Sequence, residues 1–147
     1  MSPADPHDLA RFLEAQESCY ARVLEELAAG QKTSHWMWFI FPQLRGLGVS
    51  STARRFGLAG LEDARAYLAH PVLGARLREC VRSVLAVEGR SAHQIFGSPD
   101  DLKLRSCLTL FAAAAAEGAD DQLFRAALAK YYGGEPDPLT VQLLASG

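Results

Sequence analysis

The chain has 147 residues, of which 49% are hydrophobic and 22% charged, a composition that indicates one folded domain over residues 1–147 and argues against disorder. Its formal net charge of −2 gives no bulk attraction to nucleic acid or to an anionic membrane. No apolar stretch is long enough to span a bilayer and no signal peptide is visible, so we expect a cytoplasmic protein. Its three cysteines lie far apart, which is typical of small core residues in a reducing compartment.

The first predicted element is a helix that begins after Asp5 and ends at Gly30. Asp5 and Pro6 supply an N-cap and a proline at the first helical position, and apolar residues then recur at helical spacing. Gln16 lies within this apolar stripe, so its amide points inward and needs a hydrogen-bond partner. That partner is either neighbouring backbone or a bound ligand, which makes Gln16 a candidate ligand-binding residue.

The aromatic segment, His35–Gln43 (HWMWFIFPQ), is the most distinctive part of the chain and contains both of its tryptophans. One interpretation is a dense core segment, either strand or helix, that Pro42 brings to an end. The other is the wall of a small-molecule pocket, since aromatic walls with a few polar groups are typical of such sites. Under this second interpretation, the candidate ligand-binding residues are Lys32, Trp36, Trp38 and Gln43.

A glycine-rich turn, residues 46–51, follows the aromatic segment and leads into a predicted helix from Ser51 to Phe56. Free backbone N–H groups and serine hydroxyls at such a turn favour a phosphate or a carboxylate. Gly48, Ser50 and Ser51 are therefore candidate ligand-binding residues. Glycine and serine are also preferred in an ordinary turn followed by an N-cap, and both interpretations stay open.

The rest of the chain is predicted to be helical, with caps at Ser91, Ser98, Asp120 and Asp137. The predicted helices are Leu61–Leu68, a longer one from Leu73 to Leu85, a short one ending at Gly97, Pro99–Ala116, one containing Phe124 and Tyr131, and a last short one. Pro99–Ala116 is apolar on more than one side, which is typical of a central helix. We therefore predict an all-α fold, a single compact domain of about six to eight helices around this central apolar helix.

Familiar catalytic motifs are absent from the sequence, which has no nucleophile elbow, Walker lysine, HExxH or dinucleotide-binding glycine motif. None of the four histidines is spaced from another ligand as in a metal site, so no metal and no cofactor is predicted. His35 differs from the others because it opens the aromatic segment, where an imidazole could transfer a proton near neutral pH. Capping of a core segment explains His35 equally well.

The sequence resembles domain-of-unknown-function family 1810 over nearly its whole length. The matching residues are Ala15-Gln16, Tyr20, Gly30, Lys32, His35–Gln43, Gly46-Leu47-Gly48, Ser50-Ser51, Ala64–Leu77, Ile95-Phe96-Gly97, Asp100–Ser106 and Thr109-Leu110-Phe111. The resemblance implies a mainly helical fold and no settled activity. Members often carry the label calpastatin, but the core-forming composition argues against it, because inhibitors of that kind are disordered.

A fainter resemblance, through Tyr67–Pro71, Asp101–Lys103, Phe124 and Leu128, is to the helical NADAR group, whose members cleave N-glycosidic bonds in nucleotides of the ADP-ribose type. This resemblance implies that Trp36 and Trp38 stack on a base while Lys32 and the glycine-rich turn hold phosphate. It also implies that the catalytic residues are His35, Asp101 and Lys103. For Asp101 and Lys103, a solvated first helical turn is an equally good explanation.

Three functions are left open by the sequence: a hydrolase acting on a phosphorylated nucleoside such as ADP-ribose, a non-catalytic module for the same small phosphorylated ligand, and a helical protein–protein interaction module. The hydrolase requires that His35 and Lys103 approach residues 36–51 and form a pocket with them. The binding module requires the pocket without these groups. The interaction module predicts a packed interior without a cleft, and the sequence does not indicate the oligomeric state.

Overall fold

The computed structural model describes residues 5–48, 50–115 and 121–146, which form ten helices and no strand. In chain order the helices are α1 (Ala10–Glu17), α2 (Tyr20–Ala28), α3 (Met37–Ile40), α4 (Ser51–Phe56), α5 (Leu61–Ala69), α6 (Leu73–Ala86), α7 (Ala92–Phe96), α8 (Asp100–Ala114), α9 (Asp121–Tyr132) and α10 (Pro138–Ser146). None of them is both long enough and apolar enough to cross a membrane. The all-α prediction is confirmed.

Helix α8 is the central element of the fold. It packs against α5, α7, α9 and α10, and its residues from Ser106 to Ala112 are all buried. The ring of Phe111 lies between Tyr67 of α5, at 5.5 Å, and Phe124 of α9, at 5.8 Å. A helix that meets neighbours on every side has to be apolar on every side, so the prediction of a central apolar helix is confirmed.

The number of helices exceeds the predicted six to eight because the first predicted helix is two helices and the aromatic segment contains another. The break lies at Ser18 and Cys19, after which α2 packs on α6 while α1 packs on α3. The first helix also begins at Ala10 rather than at Pro6. The N-cap position is Leu9 and carries no side-chain cap, so the prediction of Asp5 as the N-cap is wrong. The Asp5 carboxylate does accept the backbone N–H groups of Leu9 at 2.9 Å and Ala10 at 3.0 Å, just before and at the start of the helix.

Of the four caps predicted in the second half of the chain, three fall within the described residues. Ser91 caps α7 in a reciprocal capping box, and the Asp137 carboxylate accepts hydrogen bonds at the start of α10, as predicted. The N-cap position of α8 is Pro99 and carries no side-chain cap, so the prediction of Ser98 as the cap is wrong. Asp120 lies outside the described residues.

The aromatic segment is neither a strand nor a uniformly buried helix. Four of its residues form α3, which has a core side and an open side. Trp36 is 1% exposed and Phe41 is fully buried, and their rings lie 6.1 Å apart in the core. Trp38 and Phe39 are half-buried. The core interpretation therefore holds for the buried face of the segment, while the pocket interpretation of its open face stays a prediction.

Candidate functional site

A cleft of about 320 Å³ lies where the open side of the aromatic segment meets the first turn of α8. We call it the aromatic cleft, and its lining includes Lys32, His35, Trp38, Ser50, Thr52, Asp100 and Lys103. Its volume lies at the lower end of the range of about 300–1,000 Å³ for small-molecule sites. His35 and Lys103 come together with the aromatic segment in this cleft, as the hydrolase hypothesis requires.

The loop that carries one side of the cleft is anchored by a buried carboxylate. Oε1 of Glu26 accepts hydrogen bonds from the backbone N–H groups of Thr33 at 2.6 Å and Ser34 at 2.9 Å. The same oxygen accepts the indole N–H of Trp36 at 3.0 Å, and Oε2 accepts the Ser34 hydroxyl at 2.7 Å. Burial raises the pKa of Glu26, but these hydrogen bonds outweigh it and lower the pKa to about 2.

Glu26 was not among the residues singled out from the sequence. It follows Val23 by three positions and therefore lies on the buried face of α2, where both are buried. A charged residue at such a position needs several hydrogen-bond partners to offset its desolvation. A glutamate on the apolar face of a predicted helix was therefore the signal in the sequence that could have identified Glu26.

Lys32 extends from this anchored loop into the cleft. Its backbone N–H donates to the carbonyl of Ile95 at 2.7 Å, which ties the loop to α7. Its side chain is 7% exposed, and Nζ donates to the carbonyl of Ser34 at 2.6 Å. The same ammonium lies 2.8 Å from Oδ2 of Asp100 and 5.0 Å from the ring centroid of Trp36. Lys32 is thus a buried cation held from three sides.

Asp100 joins two ammonium groups at the floor of the cleft. While Oδ2 contacts Lys32, Oδ1 lies 3.2 Å from Nζ of Lys103. Nζ of Lys103 in turn lies 4.2 Å from the ring centroid of Trp38, a cation–π distance. The side chains of Asp100 and Lys103 are 19% and 21% exposed. Two positive groups and one negative group therefore share a partly desolvated space beside an indole ring.

The two tryptophans differ in what they offer a ligand. Trp36 borders the cleft, but it is 1% exposed and its N–H is bonded to Glu26, so of the two tryptophans it is Trp38 whose ring is partly exposed there. Gly48 lies against the indole of Trp38. A Cβ at this position would be too close to its neighbours, at 3.1 Å from the indole and 2.8 Å from Cβ of Ala53. Gly48 therefore shapes the aromatic wall through its lack of a side chain.

Gln16 does not line the cleft. Its Nε2 donates to the carbonyl of Phe39 at 2.7 Å and contacts the hydroxyl of Tyr67 at 3.1 Å, while its Oε1 accepts from Arg76 at 3.2 Å. All of these hydrogen-bond partners belong to the protein, and one of them is a backbone carbonyl, as in the first of the two predicted possibilities. Nothing in the structure supports the second possibility, in which the amide binds a ligand. Gln16 supports the site indirectly by fixing the aromatic segment to α1.

Four other predicted residues also lie outside the cleft lining, namely Gly48, Gln43, Ser51 and Asp101. Gln43 is 3% exposed, and within the described residues its Nε2 has no hydrogen-bond partner. Ser51 is exposed at the start of α4. The carboxylate of Asp101 lies 3.4 Å from Nδ1 of His93 and accepts the N–H of Leu102. The acidic group of the cleft is therefore its neighbour Asp100, which the sequence analysis missed.

Ser50 lines the cleft, but its hydroxyl already has a role in the fold. It accepts the backbone N–H of Ala53 at 3.1 Å and so caps α4. Of the two interpretations of the glycine-rich turn, this contact matches the ordinary N-cap. Val49, which belongs to the same turn, lies outside the described residues.

Other depressions in the described part of the chain lack this convergence of charge and aromatic surface. A larger one of about 580 Å³ lies between α5 and α10, where Glu62 is paired with Arg65 and Asp63 with His7. Among the described residues, no three histidine, cysteine or acidic side chains are grouped as metal ligands. The aromatic cleft is therefore the candidate site.

Comparisons with known proteins assign a family and a fold without an activity. The chain matches the family model "Protein of unknown function (DUF1810)" over residues 6–144. It is 58% identical to the conserved hypothetical protein Rv1873 from Mycobacterium tuberculosis, whose crystal structure superposes with a TM-score of 0.93, covering 96% of this chain and 99% of that one. No curated protein matches the chain. Neither match supports the fainter resemblance to the NADAR group.

Proposed function

The chain belongs to the DUF1810 family of proteins of unknown function, and we propose that its aromatic cleft binds a small phosphorylated nucleoside, such as ADP-ribose. The observation that carries the proposal is the meeting of Lys32 and Lys103 on Asp100, directly beside Trp38. Two ammonium groups supply donors for phosphate oxygens, and the indole supplies a flat apolar surface for a base.

The charge of the cleft favours an anion. Lys32 and Lys103 contribute two positive charges and Asp100 one negative charge, which leaves an excess of one positive charge. These side chains are 7–21% exposed, so an anion that reaches them interacts in a medium less polar than bulk water. Lys32 is held from three sides, and its ammonium therefore needs little rearrangement to meet a ligand.

Hydrolysis of an N-glycosidic bond is the second candidate function, favoured by Asp100 and His35 lying in the same cleft. In this reaction the bond between C1′ of the ribose and the base nitrogen breaks, and both electrons leave with the base. Asp100 stabilises the positive charge that develops at C1′, and His35 protonates the departing base. Water then adds to C1′ and returns a proton to His35. Asp100 replaces Asp101 as the proposed carboxylate, with Lys103 holding phosphate.

Tryptophan fluorescence tests the binding proposal, because Trp38 faces the cleft and Trp36 is buried. We expect saturable quenching on titration with ADP-ribose, NAD or AMP, and loss of the response in Trp38→Phe. Lys103→Ala should weaken binding about tenfold or more, since a charge-assisted contact contributes about 1.5–3 kcal/mol. Arg82→Ala is the matched control, because it removes one exposed positive charge from a different surface depression.

Chromatography of the same samples tests the hydrolysis candidate. Release of adenine from ADP-ribose or AMP, abolished in Asp100→Asn while binding persists, supports an enzyme. Saturable binding without release supports the non-catalytic module. A flat fluorescence response to every ligand, with helical content confirmed by circular dichroism, rejects both and favours the interaction module.

A further inference from the structure

We infer that Asp100 makes the aromatic cleft selective for a phosphate group that carries a single negative charge, an inference that rests on the proposed binding of a phosphorylated nucleoside. Phosphates inside a diester or a pyrophosphate linkage carry one charge each, whereas a terminal phosphate carries nearly two at neutral pH. The ligand class is therefore a nucleoside with an internal phosphate, and Asp100 is the residue that sets this preference.

The position of Asp100 lets its charge act on any bound anion. Its two oxygens lie 2.8 Å from Lys32 and 3.2 Å from Lys103, so a phosphate that contacts both ammonium groups lies next to the carboxylate. Lys32 is 7% exposed and also bonded to the carbonyl of Ser34, which keeps it from swinging outward with a ligand. Asp100 therefore stays beside Lys32 and competes with the ligand for the same positive charge.

The charge balance then discriminates between phosphate types. The ionisable residues lining the cleft are Lys32, His35, Asp100 and Lys103. Lys32, Lys103 and Asp100 together carry a charge of +1, which the single charge of one phosphate group neutralises. A second ligand charge adds attraction in proportion to the charge, but the desolvation penalty of an ion grows with its square. The doubly charged phosphate also faces the Asp100 carboxylate at close range, so the singly charged phosphate is favoured.

Three adenosine ligands with different charges test the inference: adenosine, the methyl ester of AMP with one charge, and AMP with two. Their dissociation constants are measured by calorimetry at pH 8, where a terminal phosphate carries two charges. We expect the wild-type protein to bind the methyl ester several-fold more tightly than AMP. This comparison needs no variant, because the two ligands share a shape and differ in charge.

The variant Asp100→Asn removes the negative charge while keeping the size of the side chain. Measured against its affinity for adenosine, we expect the variant to bind the methyl ester about tenfold and AMP about a hundredfold more tightly than the wild type does, since the gain scales with ligand charge. Asp101→Asn is the matched control, because it removes the same charge from the same helical turn outside the cleft lining. It should change all three constants less than twofold.

The outcomes separate this inference from the proposed function. Binding that weakens equally for all three ligands in Asp100→Asn shows that the carboxylate contacts ligand hydroxyl groups, and it overturns charge selection while keeping the binding site. Equal affinity of wild-type protein for AMP and its methyl ester also overturns it. If none of the three ligands binds wild-type protein or Asp100→Asn, the proposed function fails, and the inference fails with it.

Discussion

Glu26 shows how one side chain positions a surface site from within the core. Its carboxylate accepts four hydrogen bonds from residues 33–36, which fixes the conformation of the loop between Lys32 and Trp36. A hydrogen bond to a charged group contributes about 1.5–3 kcal/mol, roughly twice the value for a neutral pair. The arrangement of the cleft thus depends on a charge that no ligand contacts.

This charge gives the protein a defined acid sensitivity. The pKa of Glu26 is about 2 in the folded chain against an ordinary 4.5, so its stabilising effect is fully present above about pH 4.5 and is lost as the pH falls through about 2. The difference corresponds to about 3 kcal/mol. In Glu26→Gln, urea unfolding should show a deficit of this order at pH 7 that shrinks toward pH 2.

The matched control for Glu26→Gln is Glu25→Gln, which alters an exposed carboxylate on the same helix. Its free energy of unfolding should stay close to that of the wild type at every pH. A deficit in Glu26→Gln that is constant from pH 7 to pH 2.5 would contradict the assigned pKa, because packing alone would then explain the loss.

The acidic residue of the cleft also shows how far the sequence could specify the site. Asp100 and Asp101 both begin a helix, and consecutive helical residues point about 100° apart. The rotation of α8 relative to the aromatic segment decides which of them meets Lys32, and this rotation follows from packing along the whole helix. His35, Lys32, Trp38 and Ser50 could be singled out from the sequence, since the aromatic segment and the following turn mark them locally, whereas Lys103 was singled out only through the fainter family resemblance.

At the scale of elements, side chains of α9 donate hydrogen bonds to the backbone carbonyl groups at the end of α6. At the end of α6 the carbonyl groups lack the N–H donors that a further helical turn would supply, although that of Val84 accepts the N–H of Val87 at 3.2 Å. Nζ of Lys130 on α9 donates to the carbonyls of Leu85 and Val87 at 2.5 Å, and the hydroxyl of Tyr131 donates to that of Val84 at 2.5 Å. Helix α9 therefore acts as a side-chain cap for α6 as well as a packing partner.

Removing this cap should weaken the fold without disturbing the core. Lys130→Met keeps the aliphatic stem but loses the donors, so we expect the free energy of unfolding to fall by about 1–2 kcal/mol. Urea unfolding at pH 7 measures the change, with Arg82→Met on the exposed face of α6 as the control. A loss no larger than that of the control would mean that water replaces Lys130 at these carbonyls.

Helix boundaries were predictable where a cap or a proline marks them and unpredictable where tertiary packing decides. Ser51–Phe56 matches its prediction because Ser50 caps it locally. No cap or proline marks the break at Cys19. It follows from tertiary packing, because α1 packs on α3 while α2 packs on α6. The four residues of α3 also carry no local signal that distinguishes a strand from a helix. Their conformation is decided by packing, in which the flanking Trp36 and Phe41 are buried in the core.

At the scale of the whole molecule, one contiguous apolar core joins the described helices. It runs from Leu9 near α1 through the aromatic segment to Leu128 of α9, with α8 in its middle. The cleft rests on this core through Trp36, which contacts the rings of Phe41 and Phe96. We therefore expect the chain to unfold as one cooperative unit, as a single domain should.

Two probes of unfolding test this expectation. Tryptophan fluorescence reports the cleft and circular dichroism reports all helices, so their urea transitions should coincide in the wild-type protein. Leu108→Ala removes a fully buried side chain of α8 and should lower the free energy of unfolding by about 2–5 kcal/mol. Both transitions should shift together, and separate midpoints would indicate that the cleft and the helical core unfold independently.

The ion pair between Lys32 and Asp100 joins two stretches of chain that are far apart in the sequence, and it is formed only when both are folded. An occupant held by both stretches has no counterpart site in the unfolded chain, so its binding free energy is added to the stability of the native state. The melting temperature then becomes a detector of ligands. A ligand of unknown identity can therefore be detected by the rise in melting temperature that it causes, before its chemical identity is established.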